Sequence, residues 1–201
     1  WHRDRPQGRH PRQPGGPPWR ECVEPCELEQ AASAVAFSTG MAAISSVLYT
    51  FLMHGDRVVS TRDSYGGTNK IFEEFLPRMG VTVTLCETFD HDAIEHEIAK
   101  GCDLLYLETP TNPTLKILDI RRLVQAAKKA GALVMADNTF ATPLNQNPLA
   151  LGVVAGAVLA LGVGLVWLPA PTVRPCFSPR PNWPISIHCL RGRPSASTVR
   201  C

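Results

Sequence analysis

At 201 residues, with 44% hydrophobic and 19% charged side chains, the chain has the size and composition of one ordinary globular domain, which excludes a collagen-like or wholly disordered polymer. Its formal net charge of +2 is unevenly spread: residues 28–151 hold 10 basic and 14 acidic side chains, a net of −4, so the positive balance comes from arginines in the two flanks. No basic surface of a folded domain is implied, and no nucleic-acid partner is expected, because Arg3, Arg5, Arg9, Arg12 and Arg20 lack aromatic interleaving or a binding motif.

Residues 1–27 are rich in Pro, Gly and Arg and have no apolar periodicity, so they are expected to be a disordered, atypical tail. Cys22 and Cys26 have no second pair or histidine at ligand spacing, and no metal site is expected. The seven cysteines read as reduced thiols, which places the chain in the cytoplasm. It opens on Trp1 without a charged segment and apolar run, so a fragment or processed start is expected and a signal peptide is not.

From residue 28 the pattern becomes regular. Val35–Phe37 reads as a strand, followed by a helix carrying Ile44, Val47, Leu48, Phe51 and Leu52 that Gly55 and Asp56 stop. A strand over Arg57–Thr61 precedes a helix over residues 68–79, interrupted late by Pro77 and closed by Gly80. Val81–Leu85 alternates as a strand. Asp92, three residues before Glu95, predicts the start of a short helix that Gly101 ends. Leu104–Leu107 is the next strand, and an amphipathic helix with Ile120, Leu123, Val124 and Ala127 on one face ends at Gly131, before the strand Leu133–Ala136. Strand and helix alternate throughout, which predicts an α/β fold with a mostly parallel sheet flanked by helices.

After Gly152 the character changes. Residues 149–168 carry no charge and are long enough to cross a membrane, yet Gly152, Gly156, Gly162 and Gly164 weaken them as a helix. Pro169–Cys201 has no acidic residue and no lysine and holds seven prolines. The expected division is therefore a tail over 1–27, a domain over 28–151 and an atypical apolar, then Pro- and Arg-rich, tail over 152–201.

In an open parallel sheet, ligands sit beyond the carboxyl ends of the strands. After the first strand come Ser38, Thr39, Gly40 and Met41, where a close backbone approach and a helix start suit a phosphate. After the second come Tyr65, Gly66, Gly67 and Thr68, which offer a ring for stacking on a flat cofactor. Glu108, Thr109, Pro110, Thr111, Asn112 and Pro113 follow the fourth, with two prolines fixing the direction of the Asn112 amide. Asp137, Asn138 and Thr139 end the fifth; a carboxylate there suits a protonated ring nitrogen. Each motif alone reads more readily as a plain turn, but four of them, after the first, second, fourth and fifth strands, point to a site.

With these motifs, the stretch from Ala34 to Gly152 resembles the Cys/Met metabolism, or transsulfuration, family of pyridoxal phosphate (PLP) enzymes, whose members include cystathionine gamma-synthase, cystathionine gamma- and beta-lyases and methionine gamma-lyase. The resemblance implies a partial fold-type I PLP-transferase large domain, a lyase or transferase acting on sulfur-related amino acids, and a homo-oligomer at full length. It also implies that Gly40 and Met41 bind the phosphate, Tyr65 stacks on the ring and assists proton steps, Asn112 meets the ring hydroxyl, Asp137 pairs with the ring nitrogen and Thr139 lines the pocket. Glu108 is expected to support Asn112 rather than meet substrate.

The family continues into a Ser-Ala-Thr-Lys turn that supplies the lysine holding PLP as a Schiff base. Leu159, Ala160, Leu161 and Gly162 stand here instead, and no lysine follows Lys129. The family's upstream Tyr and Arg have no match in residues 1–27, and its C-terminal domain with an arginine for the substrate carboxylate is not expected within these 201 residues. The chain is therefore expected to be catalytically incompetent. The alternatives are a non-catalytic fragment that associates with a full-length relative, or a remnant tethered to a membrane through 149–168.

Overall fold

The computed structural model describes residues 29–31, 33–160, 163–168 and 198–200. The expected tail over 1–27, with Cys22 and Cys26, lies outside the described residues.

Strand β1 (Ser33–Phe37) leads into helix α1 (Gly40–Phe51), then β2 (Arg57–Thr61), α2 (Gly66–Lys70), a π-helical turn (Ile71–Phe75) and α3 (Leu76–Arg78). Strand β3 (Thr82–Cys86), α4 (His91–Ala99), β4 (Leu104–Glu108), α5 (Ile120–Ala130) and β5 (Leu133–Asp137) follow. A short α6 (Thr142–Asn145) and a 3-10 turn (Leu149–Leu151) precede β6 (Ala155–Ala160), β7 (Val163–Leu168) and β8 (Thr198–Arg200). The five strands expected from apolar runs are all present, within two residues of their expected bounds.

They lie in one sheet of order β3-β2-β4-β5-β6-β7-β1-β8. The first five run parallel, each of their four neighbouring pairs forming a parallel ladder. Because side chains alternate across a strand, the wholly buried β4 feeds both faces. Leu104 and Tyr106 join a layer with Val47 and Leu48 of α1 and with Phe72 and Leu76, whereas Leu105 and Leu107 join Ile94 and Ile98 of α4 and Leu123, Val124 and Ala127 of α5. Each such fully buried leucine contributes about 1.5–3 kcal/mol of transfer free energy. Gly131, in the left-handed region at φ +75°, ends α5 where the sequence places its stop.

Four details depart from the sequence expectation. Strand β1 is not in the parallel ladder; it pairs antiparallel with β7 and β8, because β7 is interposed between it and β6. The helix before Gly80 starts at Gly66 and widens before Pro77: the Leu76 N–H donates to Ile71 O, which relieves the ring's conflict with the preceding turn. Helix α4 is capped by Asp90, which accepts from Ala93 N at 2.9 Å, and not by Asp92. Finally, the parallel sheet does not stop at residue 151.

The charge-free run 149–168 supplies β6, parallel to β5 with Met135 opposite Ala155, and β7, antiparallel to β6. Its apolar residues form two strands inside the sheet, and an inner strand asks for much the same composition as a membrane span. No helix among the described residues is long and apolar enough to cross a membrane, so the tethered reading loses its helix. Thr198–Arg200, in the expected C-terminal tail, also joins the sheet, beside β1.

Candidate functional site

Strands β2, β4 and β5 point one way, and β1, two antiparallel steps from β6, points the same way. Their carboxyl ends therefore share one edge, where residues 38–41, 62–65, 108–113 and 137–139 gather.

Helix α1 opens this edge. Thr39 caps it, its Oγ1 accepting from Ala42 N at 3.0 Å and its carbonyl from Ala43 N at 3.1 Å. Among the described residues nothing accepts from the Gly40 and Met41 N–H groups, so two donors at the positive end of a 12-residue helix face outward. Gly67 brings Met41 and Tyr65 together: a Cβ there would lie 2.8 Å from Met41 Sδ and 2.9 Å from Tyr65 Cε1. Only glycine leaves both side chains in place, and the Tyr65 ring stays about half exposed on the edge.

Glu108 is the hub. Nearly fully buried, it accepts from Tyr65 N through Oε2 and from Asn112 N through Oε1, each at 2.8 Å. The expected support of Asn112 is present, and the hold on Tyr65 is additional. Burial, helped by the charge of Asp137, pushes the Glu108 carboxyl up to about 7, against the two amide bonds that favour its ionised form. Asp137 lies directly across the ladder from Glu108. Its Oδ1 accepts from Thr139 N at 2.9 Å and from Thr139 Oγ1 at 2.5 Å. Burial still holds the Asp137 carboxyl above its ordinary value, so this position is short of positive charge.

Two residues before Glu108 on β4 stands Tyr106, fully buried and edge-on to Phe72 at 5.1 Å. Burial first, then the Asp137 and Glu108 charges, pushes its hydroxyl well above the usual phenol range. That hydroxyl is near Asp137 and Thr68 but meets no partner in hydrogen-bonding geometry among the described residues. Tyr106→Phe should therefore be neutral or stabilising by up to about 1 kcal/mol, since it removes an unpaired polar atom and keeps the ring contact. Urea unfolding of the two proteins checks this, and a loss above that size would mean that the hydroxyl is bonded.

A second network, absent from the sequence reading, holds the β4 and β5 loops together. Gln146 Nε2 donates to Thr109 O at 3.0 Å and to Asn138 Oδ1 at 2.8 Å, while Asn138 Nδ2 returns a bond to Gln146 O at 2.8 Å. Buried Glu29 accepts from Asn138 Nδ2 at 3.4 Å, and burial raises its carboxyl pKa. Polar side chains inside an otherwise turn-like Asn-Gln-Asn sequence are its only signal. Among the described residues, no group of three His, Cys, Asp or Glu could hold a metal ion.

The family model described as "Cys/Met metabolism PLP-dependent enzyme" matches residues 16–157. The chain is 46% identical over 126 residues to cystathionine gamma-lyase of Bacillus subtilis (strain 168), covering 63% of this chain and 33% of that protein. It is 44% identical over 140 residues to cystathionine beta-lyase MetC of the same organism, covering 69% and 36%. Among solved structures it resembles cystathionine gamma-lyase from Lactobacillus plantarum complexed with L-serine, with a TM-score of 0.68, 35% identity and coverage of 73% of this chain and 41% of that one. It thus spans about a third of the length of the curated relatives it matches.

Proposed function

The chain belongs to the Cys/Met metabolism family of PLP-dependent enzymes, and from that premise we propose that its sheet edge is the phosphate- and ring-holding part of a PLP site. The observation that carries the proposal is the single carboxylate of Glu108 gripping the Tyr65 and Asn112 loops with Asp137 beside it.

The residues present suit the group in three respects. The outward Gly40 and Met41 amides would bind the phosphate, as anions bind at helix starts. The half-exposed Tyr65 ring would stack on the pyridine, and Asn112 would meet the ring hydroxyl. Asp137, uncomfortable in its buried position without a cation, would hold a proton on the ring nitrogen, with Thr139 fixing the carboxylate's direction. When bound, PLP supplies an electron sink for bond cleavage at an amino-acid substrate. The substrate class is a sulfur-related amino acid such as cystathionine, a homocysteine precursor or methionine, in elimination or γ-replacement.

The covalent anchor is missing. No lysine follows Lys129, and Leu159–Gly162 replace the family's lysine-bearing turn. Lys116 is no substitute: its Nζ is held by Asp63 at 2.7 Å, away from the role of a free nucleophile. This chain therefore binds PLP without a covalent bond and does not turn over substrate. Incubation with PLP, reduction with borohydride and peptide mapping test this. Saturable cofactor absorbance with no stoichiometric pyridoxyl-lysine is expected; a single modified lysine at full occupancy would overturn it.

A second reading, a non-catalytic fragment that associates with a full-length relative, draws on the exposed Phe140 and Leu144 beside the site and on the chain's one-third coverage of its relatives. Sedimentation of the chain alone and mixed with a full-length relative tests it; separate migration would rule it out.

A further inference from the structure

Asp63 lies beyond β2, Thr88 beyond β3 and Lys116 beyond β4, three strands that are neighbours in the sheet. One oxygen, Asp63 Oδ2, accepts from both Lys116 Nζ at 2.7 Å and Thr88 Oγ1 at 2.6 Å. Lys116 Nζ also sits 5.0 Å from the Phe89 ring centroid, next to Thr88. Lys116 is in turn braced to the neighbour of Asn112: Lys116 N donates to Thr111 Oγ1, and Thr111 N donates to Lys116 O, both at 3.0 Å. Asp63 itself is two residues from Tyr65.

We propose that Asp63, Lys116 and Thr88 form a staple across three loops that positions Tyr65 and Asn112 for the cofactor, a role that rests on the site reading above. An exposed ion pair is worth little, because water competes for both charges. This pair is different in kind: its side chains are 22% and 25% exposed, the carboxylate takes a second donor from a buried threonine, and the lysine lies against an aromatic face. The hydrogen bonds of Lys116 and Thr88 hold Asp63 in its ionised form, below the usual carboxylate range. Glu108 grips the two loops through their backbones, whereas the staple links them through the Asp63 and Lys116 side chains. A loop held at both places presents its ring and amide in one orientation, which lowers the ordering cost of binding.

The test uses the full chain. Amide exchange at Tyr65 and Asn112, measured by NMR without ligand, should accelerate about tenfold in Lys116→Met, while Leu105 and Val134 in the core strands keep their rates. Lys116→Arg should restore the slow exchange. PLP, added as the probe, should bind about tenfold more weakly to Lys116→Met and within about twofold of wild type to Lys116→Arg. Should Lys116→Met fail to fold, Thr88→Val removes one arm of the staple while keeping its shape, and about threefold faster exchange at the same two amides supports the proposal. Unchanged exchange at both amides, acceleration spread equally over the core, or unchanged PLP affinity in a chain whose wild type binds it would each overturn the staple. A wild-type chain that binds no PLP removes the site reading alone, since the exchange rates still decide whether the staple orders the loops.

Discussion

Asp137→Ala is expected to lower turnover by about a thousandfold, or about 4 kcal/mol, in a chimera that joins residues 28–151 to the lysine-bearing turn and C-terminal part of a full-length relative. The carboxylate lies at the end of β5 with Thr139 donating twice to one oxygen, and burial leaves it short of a cation. Placed against a ring nitrogen, it favours the protonated form, and a protonated ring draws electrons away from the reacting carbon most strongly. Asp137→Glu keeps the charge but moves it, and should cost less. The comparison needs equal PLP content in the variants, so that lost rate is not lost cofactor. Equal kcat for the chimera and Asp137→Ala at equal content would leave Asp137 as a buried strand-end carboxylate with no part at the ring nitrogen.

Glu108→Ala should destabilise the chain by about 2–4 kcal/mol, because two backbone N–H groups lose their acceptor and a buried volume empties. A pH signature accompanies it. The folded Glu108 carboxyl titrates at about 7 against 4.5 for the free side chain, so the folded state binds the extra proton between those values. Its contribution to stability is thus fullest below about 4.5 and is lost as pH rises to about 7, by up to about 3 kcal/mol. Asp137 and Glu29, also raised by burial, tilt the profile the same way. Urea midpoints measured from pH 5 to 8 should fall for the wild-type chain and fall less for Glu108→Gln. Parallel profiles for the two proteins would place the carboxyl's titration elsewhere.

How much of this was readable in advance follows from the range of the forces involved. Residues after each strand are fixed by local signals, a run of β-formers and then glycine, proline or asparagine, so Gly40, Tyr65, Asn112 and Asp137 could be singled out without coordinates. That the loops bearing Tyr65 and Asn112 share one carboxylate is a contact between residues 43 apart in the chain and carries no local trace. The same holds for the Asp63–Lys116 pair and for the Gln146–Asn138 exchange. The cap of α4 went to Asp92 because three acidic residues stand within six positions, and only the backbone geometry selects Asp90. The apolar run past Gly152 left a membrane span open as an alternative for another reason: inner strands and a membrane helix ask for similar residues, and length alone does not separate one long helix from two short strands.

The placement of β1 has a consequence for the order in which the chain can be assembled. Its ladder partner β7 lies about 130 residues later in the chain, whereas β2 to β5 find one another within about 80. During synthesis the parallel block can pair while β1 still waits for residues 163–168 to leave the ribosome, and loop closure of that length is slow. Until then β5 ends the sheet with unpaired amides and carbonyls, an open template for a second copy of the chain. A protein stopped at residue 151 would keep every site motif and still carry that raw edge permanently, whereas in the full chain β6 occupies it.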